Sequence, residues 1–158
     1  MKPEALVIRD AAHSDIDALV NLLDELFAIE ADFSFDADKH RQGLRLMLDG
    51  CRKHQCIKVA ECDQEVIGMC SAQTLISTAE GGMAAIVEDL AVKSGWRGRG
   101  IGRMLLESIE AWSSAIGLRR LQLLADSANE SALAFYGKNG WKRTQLICLR
   151  KRLGCCYE

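Results

Sequence analysis

The sequence predicts an α/β (α+β) fold in which a mixed sheet carries helices on both faces. Stretches with helical spacing of apolar residues and short strand-like runs follow one another in the order βααβββαβαβ over 158 residues. Apolar content of 49% and charged content of 27% are typical of a globular domain. Because no internal repeat, low-complexity segment or linker interrupts the chain, we predict a single domain over residues 1–158, with its core at about 5–153.

The first half of the chain predicts a strand and two helices. Ala5–Arg9 has the composition of a short strand, and Ser14 with Asp17 forms a capping-box pattern at a helix start. Apolar residues then recur at helical spacing: Ile16, Leu19, Val20, Leu23 and Phe27. The second helix is predicted over Asp38–Leu48, ended by Gly50.

The second half begins with a predicted three-stranded meander: Cys56–Cys62, Val66–Leu75 and Met83–Val92. One face of the third helix collects Ile101, Leu105, Ile109, Trp112 and Ile116. Gly117 is a suitable residue to end that helix. A strand, a helix and a final strand or hairpin complete the prediction: Arg120–Ala125, Glu130–Lys138 and Trp141–Arg152.

Charge and cysteine content exclude several classes of protein. A net charge of −2 and a pI of about 5.9 argue against a nucleic-acid-binding protein. No apolar run approaches the roughly 20 residues of a membrane span, and we expect no membrane association. Seven cysteines, without a C-x-x-C pair, favour reduced thiols in a cytoplasmic protein. Cys51, His54 and Cys56 match no common zinc spacing, so no metal site is predicted.

A glycine-rich loop between a strand and a helix is the most informative segment. Arg97-Gly98-Arg99-Gly100-Ile101-Gly102 leads directly into the third helix. Glycines allow positive φ and close approach of a ligand to the backbone, and a helix N-terminus attracts anions. Together with Arg97 and Arg99, the segment predicts a site for a polyphosphate.

The two common nucleotide-binding motifs do not fit this loop. A Walker A loop requires Gly-Lys-Ser/Thr, which is missing. A dinucleotide fingerprint starting at Gly98 would place its last glycine at Arg103, and Leu118–Leu121 lacks the expected acidic residue.

In the form R-x-x-G-x-G after a strand, the loop resembles the coenzyme A pyrophosphate loop of the GNAT N-acetyltransferase superfamily. Glu88-Asp89-Leu90-Ala91-Val92 resembles its splayed central strand, and Asn129–Trp141 (NESALAFYGKNGW) resembles its second signature. The resemblance covers roughly residues 5–153 and implies a mostly antiparallel, splayed sheet and acetyl-CoA as cosubstrate, with no metal. One departure is Ser94, where relatives usually carry a proline, which predicts a looser turn.

The resemblance also implies which residues contact the cofactor. The set comprises Leu90, Ala91, Val92, Arg97, Gly98, Arg99, Gly100, Ile101, Gly102, Arg103, Asn129 and Tyr136. The backbone N–H of Leu90 would meet the thioester oxygen, and that of Val92 the pantetheine arm. Tyr136 would protonate the leaving thiolate, while Asn129 is either a helix N-cap, a pantetheine contact or both.

Transfer of an acetyl group to an amine also needs a base, because an alkylamine with a pKa of about 10.4 is almost entirely protonated at pH 7. Strand alternation places Ile86, Glu88 and Leu90 on one face, where an acid among apolar residues is unexpected unless it is used. We therefore predict Glu88 as the base, with Asp89 as the alternative if a bulge shifts the alternation.

The acceptor amine is indicated by a run of acids without Lys or Arg: Asp24, Glu25, Glu30, Asp32, Asp36 and Asp38. In the family, this region forms the acceptor wall, so we expect a small cationic amine; solvated helix faces are the alternative. Phe27, Phe33 and Phe35 are expected in the core rather than in a pocket. Peptide or protein N-acetylation and a non-catalytic acyl-CoA sensor remain alternative functions. The residues themselves do not determine whether the chain dimerises; only the family resemblance suggests a homodimer.

Overall fold

The computed structural model describes residues 5–30 and 34–154. Five strands form one sheet in the order β1-β2-β3-β4-β5, with β1 at Leu6–Asp10, β2 at Gln55–Cys62, β3 at Glu65–Ser77, β4 at Gly82–Val92 and β5 at Leu121–Leu123. Neighbours from β1 to β4 are antiparallel, and β5 pairs with β4 in parallel. The predicted mixed, mostly antiparallel sheet is therefore confirmed.

Four α-helices accompany the sheet: α1 at Ile16–Ile29, α2 at Ala37–Asp49, α3 at Ile101–Ala115 and α4 at Glu130–Lys138. The capping box expected from Ser14 and Asp17 is wrong. A 3-10 turn over His13–Asp15 precedes α1, and the Asp15 carboxylate instead accepts from the Ala12 N–H at 2.7 Å and from the Arg9 guanidinium.

Helices pack on both faces of the sheet. On one face, α1 and α2 cover Val59, Met69 and Ala91, which belong to the same buried apolar cluster as Leu19 and Leu44. On the other face, Gly68 lies under α3, because a Cβ added at Gly68 would meet the Leu105 side chain at 3.1 Å and the Ile101 side chain at 3.4 Å. Residue alternation in β3 thus directs successive side chains to opposite helical layers.

The chain forms two compact units, residues 1–123 and 124–158. The first unit contains the whole sheet with α1, α2 and α3, and the second contains α4. The single domain expected from the sequence stays a prediction.

The expected strand or hairpin over Trp141–Arg152 is wrong for the described part of the chain, where residues 141–154 have no regular secondary structure. Leu146, Ile147 and Leu149 are 80–88% exposed. Leu146 and Ile147 are adjacent in sequence, so a strand would direct them to opposite faces and could not bury both on one side. Apolar content alone therefore does not specify a strand here.

Candidate active site

A β-bulge interrupts β4 at the acidic pair that the sequence singled out. Met69 of β3 pairs with Ala91 of β4, and Ser71 pairs with Glu88. Between these pairs, one residue of β3, Cys70, lies opposite two residues of β4, Asp89 and Leu90. Asp89 takes a φ of +51°, which Asp tolerates better than most residues. The alternation that would place Ile86, Glu88 and Leu90 on one face is therefore broken between Glu88 and Leu90.

The bulge turns Asp89 into the structure. Its carboxylate Oδ2 lies 3.2 Å from the hydroxyl Oγ of Ser71, a buried residue. The pKa of Asp89 is raised to about 6, chiefly by burial and also by the nearby charges of Glu88 and Glu30, against a lowering by the Ser71 hydrogen bond. Asp89 is thus a carboxylate with unusually high basicity.

Glu88, the predicted base, is exposed. Its carbonyl oxygen accepts from the Ser71 hydroxyl at 3.2 Å, which fixes the backbone immediately before the bulge. The structure therefore brings both candidate carboxylates to the same bulge but gives them different environments, with Asp89 half-buried and Glu88 open to solvent.

Beyond the bulge, β4 has an open edge. Its pairing with β5 ends at Val87, while β4 continues along β3 to Val92. Lys93 donates its N–H to Ile67 of β3 at 2.8 Å, and alternation from Lys93 to Val92 directs the N–H of Val92 away from β3. This backbone donor points to the side that β5 does not occupy at this level.

The glycine-rich loop follows this open edge and ends at the N-terminus of α3. Gly98 and Gly100 have φ of +77° and +79°, and a Cβ at either position would meet open space. Gly100 is the N-cap residue of α3; among the described residues no side chain caps it, and the first helical turn holds no acid. The first turn of this 15-residue helix therefore keeps the positive end of its dipole without a capping side chain or an acid from its own sequence.

Arginine side chains of the loop are held in defined positions. The Arg97 Nε donates to the Val92 carbonyl oxygen at 2.9 Å, across the edge of β4. The Arg99 guanidinium lies 4.8 Å from the centre of the Trp96 ring, within the range of a cation–π contact. Both arginines therefore add positive charge beside the loop, next to the positive end of the α3 dipole.

The second signature lies in the second unit. The Asn129 side-chain oxygen accepts from the Ala132 N–H at 3.0 Å, which makes Asn129 the N-cap of α4. Tyr136 lies on α4 with its ring edge against Trp141, at 6.1 Å between ring centres. The N-cap role expected for Asn129 is confirmed, and the cofactor roles of Asn129 and Tyr136 stay predictions.

The acids expected to form an acceptor wall have several local functions. Asp36 caps α2 by accepting from the Lys39 N–H at 3.2 Å, and Glu25 accepts a hydrogen bond from the Ser94 N–H. Glu30, at the end of α1, is close enough to raise the pKa of Asp89. Asp32 and Phe33 lie outside the described residues. Among the described acids of this segment, Glu30 is the one whose charge raises the pKa of Asp89.

The aromatic residues of this segment divide between core and surface. Phe27 packs against the main apolar cluster, as the sequence predicted. Phe35 is 44% exposed, and its ring contacts His40, which also contacts Phe27.

Cys51, His54 and Cys56 do not combine into a site. Cys51 is exposed, the His54 ring nitrogen lies 3.1 Å from the Thr74 hydroxyl, and burial raises the pKa of Cys56 to about 12. Among the described residues, no group of three or more His, Cys, Asp or Glu could hold a metal ion. Cys56 lines a cavity of about 250 Å³ between the end of α2 and the start of β2, and no predicted site residue lines it.

With this geometry established, comparison with known proteins identifies the family. The sequence profile of the acetyltransferase (GNAT) family matches residues 17–141. The chain belongs to the GNAT acetyltransferase family. No curated protein sequence matches it at a significant level.

Solved GNAT acetyltransferases share the fold. The aminoglycoside N-acetyltransferase AAC(6')-Iy, solved in complex with CoA, is 19% identical, with a TM-score of 0.81 over 96% of this chain and 98% of that one. An aminoglycoside acetyltransferase from an uncultured soil metagenomic sample is 23% identical, with a TM-score of 0.77 over 94% and 97%. Glucosamine-6-phosphate N-acetyltransferase from Arabidopsis thaliana is 20% identical, with a TM-score of 0.74 over 94% and 99%. At these identities the likeness shows a common fold.

Among the described residues, none of the GNAT chain's helices is long and apolar enough to span a membrane.

The sequence did not predict two contacts of the candidate site. Ser71 binds Asp89 and Glu25 binds Ser94, and both join residues distant in the chain. Only a pattern of pairing between strands or helices could have revealed them.

Proposed function

We propose that this GNAT protein transfers an acetyl group from acetyl-CoA to the primary amine of a small cationic acceptor, directly and within a ternary complex. One observation carries the proposal: a bulged, open-edged β4 holds a carboxylate of raised pKa and runs into a glycine loop at an uncapped helix N-terminus. Such a combination joins a proton acceptor and an anion site along one strand.

The residues of the loop fit a pyrophosphate. Gly98 and Gly100 hold left-handed backbone and leave open space where a Cβ would stand. Arg97 and Arg99 add positive charge beside the α3 N-terminus, where Gly102 and Arg103 lie in the first turn. The outward N–H of Val92 can pair with a peptide-like arm in the manner of a neighbouring strand. In the proposed site, Ala91 also contacts this arm, and the N–H of Leu90, within the bulge, meets the thioester oxygen. When bound, the cofactor supplies the activated acetyl group.

The base must remove a proton from the acceptor. Lowering an amine pKa from about 10.4 to neutral pH corresponds to about 4.6 kcal/mol. Of the two carboxylates at the bulge, Asp89 has the environment of a base, since a carboxylate of pKa about 6 is mostly ionised at pH 7 yet accepts a proton more readily than an ordinary one. Glu88 is the alternative base. If Asp89 is the base, the charge of Glu88 helps to keep the pKa of Asp89 high.

In the proposed reaction, the amine nitrogen forms a bond to the acetyl carbon, and the bond from that carbon to sulfur breaks. Asp89 takes the amine proton, directly or through a water, and the Leu90 N–H stabilises charge on the carbonyl oxygen, a contribution typically worth about 2.7–4 kcal/mol. Tyr136 donates a proton to the departing thiolate. Cys70 is the cysteine nearest the bulge, with Sγ 3.8 Å from the Glu88 carbonyl oxygen. Burial raises the pKa of its thiol, which disfavours an acetyl-cysteine route.

The charge beside Asp89 supports a cationic acceptor. Glu30 and Glu88 surround it with negative potential, which attracts an ammonium group and disfavours an anionic acceptor. Two of the solved proteins of the same fold are named as aminoglycoside acetyltransferases, which supports an amine acceptor. We therefore place the cationic end of the acceptor at Glu30.

The decisive experiment is calorimetric titration of acetyl-CoA into the wild type and into Arg97→Glu/Arg99→Glu. We expect micromolar binding to the wild type and its loss in the variant. A matched control, Arg45→Glu/Lys53→Glu, changes the net charge equally at two exposed positions distant in sequence from the loop. Absence of binding to the wild type would overturn the proposal, and equal loss in the control would mean that only overall charge matters.

A further inference from the structure

The turn that follows β4 has the geometry of a type II β-turn. Trp96 donates its N–H to the Lys93 carbonyl oxygen at 3.0 Å, and Gly95 has a φ of +86°. Ser94 is not among the described non-glycine residues of positive φ. Ser94 therefore occupies the second position of the turn, where proline is favoured because its fixed φ suits the backbone and the N–H is not needed.

Here the N–H at this position has a partner. Ser94 donates it to the Glu25 carboxylate Oε2 on α1 at 2.8 Å, a bond that proline could not make. The same oxygen lies 3.5 Å from the Arg97 Nη2. One carboxylate oxygen thus contacts both the turn and the arginine of the glycine loop.

Glu25 is itself well anchored. It lies on α1 beside Leu22 and Leu23, which are 3% and 4% exposed and belong to the main apolar cluster. Arg97 is held from the other side by the Val92 carbonyl oxygen. The loop is therefore tied to the core by a chain that runs from α1 through Glu25 to Ser94 and Arg97.

Glu25 places a negative charge next to the proposed phosphate site. A carboxylate beside an anion site repels a phosphate, so simple charge attraction gives no reason for Glu25 to be there. Holding the turn and orienting Arg97 does give a reason, because preorganised donors cost less to order on binding.

We propose that Glu25 is a positioning residue that fixes the phosphate-binding loop in place of a proline, by accepting the Ser94 N–H and orienting Arg97. The inference rests on the proposed function, since it assumes that acetyl-CoA occupies the loop. Its effect is on cofactor binding, with no direct contact to the reacting atoms.

The test measures the Kd of acetyl-CoA by calorimetry for the wild type, Glu25→Ala, Glu25→Gln, Ser94→Pro and the double variant Glu25→Ala/Ser94→Pro. We expect Glu25→Ala to weaken binding about tenfold, as for the loss of a hydrogen bond to a charged group. Glu25→Gln keeps an accepting oxygen and should stay within about threefold of wild type. Asn21→Ala, at an exposed position one turn earlier on α1, is the matched control and should not change the Kd.

Ser94→Pro distinguishes positioning from general stability. Proline fixes the turn without Glu25, so Glu25→Ala should cost at most about threefold in that background. In steady-state assays, Glu25→Ala should raise the KM for acetyl-CoA more than it lowers kcat.

Three outcomes are decisive. If the wild type does not bind acetyl-CoA, the proposed function itself fails. If it binds and Glu25→Ala binds equally or more tightly, the positioning role is wrong. An equal loss with and without Ser94→Pro would also contradict it.

Discussion

The Ser71 hydroxyl and the Asp89 carboxylate lie 3.2 Å apart across the β3–β4 pair, at the point where the bulge in β4 disturbs their register. Ser71 is buried, and its hydroxyl also lies 3.2 Å from the Glu88 carbonyl oxygen. A single O–H is thus shared between the backbone and the carboxylate of the bulge. This is the one side-chain hydrogen bond that lowers the pKa of Asp89. Burial and the neighbouring charges together have the larger effect, so the pKa is raised.

Asp89→Asn should stabilise the protein at neutral pH. The raised pKa means that the folded state binds a proton more tightly than the unfolded state, so this residue's contribution to stability falls as pH rises from about 4 to above 6. A shift of this size corresponds to about 3 kcal/mol at neutral pH. The difference in free energy of unfolding, measured by urea denaturation, should therefore grow across that window and vanish below pH 4. Glu110→Gln, an exposed carboxylate on α3, is the control, and a flat difference for Asp89→Asn would refute the assignment.

The same residue should control the rate. Asp89→Asn removes the proton acceptor, and we expect kcat to fall about 100-fold or more, typical of general base catalysis. Glu88→Gln should retain most of the rate but shift the acidic limb of the pH profile to lower pH, because it removes a charge that raises the pKa of Asp89. A larger loss of kcat in Glu88→Gln than in Asp89→Asn would identify Glu88 as the base instead.

The contrast between these two residues shows what the sequence could determine. The position of β4, the glycine loop and α3 followed from local patterns, because each depends on neighbouring residues. Asp89 rather than Glu88 points inward because β4 has one extra residue relative to β3. The pattern of alternation along β4 alone does not reveal this extra residue. The bond from Glu25 to Ser94 spans 69 positions and depends on how α1 packs.

The failed prediction at the C-terminal end has a related cause. Leu146, Ile147 and Leu149 are apolar enough for a strand, but their spacing fixes neither a face nor a partner. Strand formation depends on a neighbour as well as on composition.

Gly100→Ala should destabilise the loop. Alanine at a φ of +79° is strained by about 1–2 kcal/mol, although the space for its Cβ is open. We expect both a lower free energy of unfolding and weaker acetyl-CoA binding. Gly43→Ala is a matched control, since Gly43 lies inside α2 with open space around it, and alanine there should raise stability by about 1 kcal/mol. Unchanged cofactor affinity in Gly100→Ala would show that the left-handed cap is not needed for binding.

Glu30→Gln should weaken binding of the acceptor more than binding of acetyl-CoA. Glu30 lies at the end of α1 and raises the pKa of Asp89, so its removal reduces the negative potential at the bulge. We expect the KM of a polyamine acceptor to rise and the Kd of acetyl-CoA to stay the same. The difference in acceptor KM between the variant and the wild type should shrink at high salt, because salt screens the charge of Glu30. Asp36→Asn is a less informative variant because Asp36 caps α2. An unchanged KM in Glu30→Gln would contradict the placement of the cationic end.

Tyr136→Phe separates chemistry from packing on α4. Phenylalanine keeps the ring that meets Trp141 edge-on, at 6.1 Å between centres, and removes only the hydroxyl. If the hydroxyl protonates the departing thiolate, kcat should fall about 100-fold while the Kd of CoA and the melting temperature stay the same. Acetyl-donor thioesters with leaving thiols of lower pKa need less protonation, so the defect should shrink with them. An equal defect for all thioesters, or a loss of stability, would assign Tyr136 to packing.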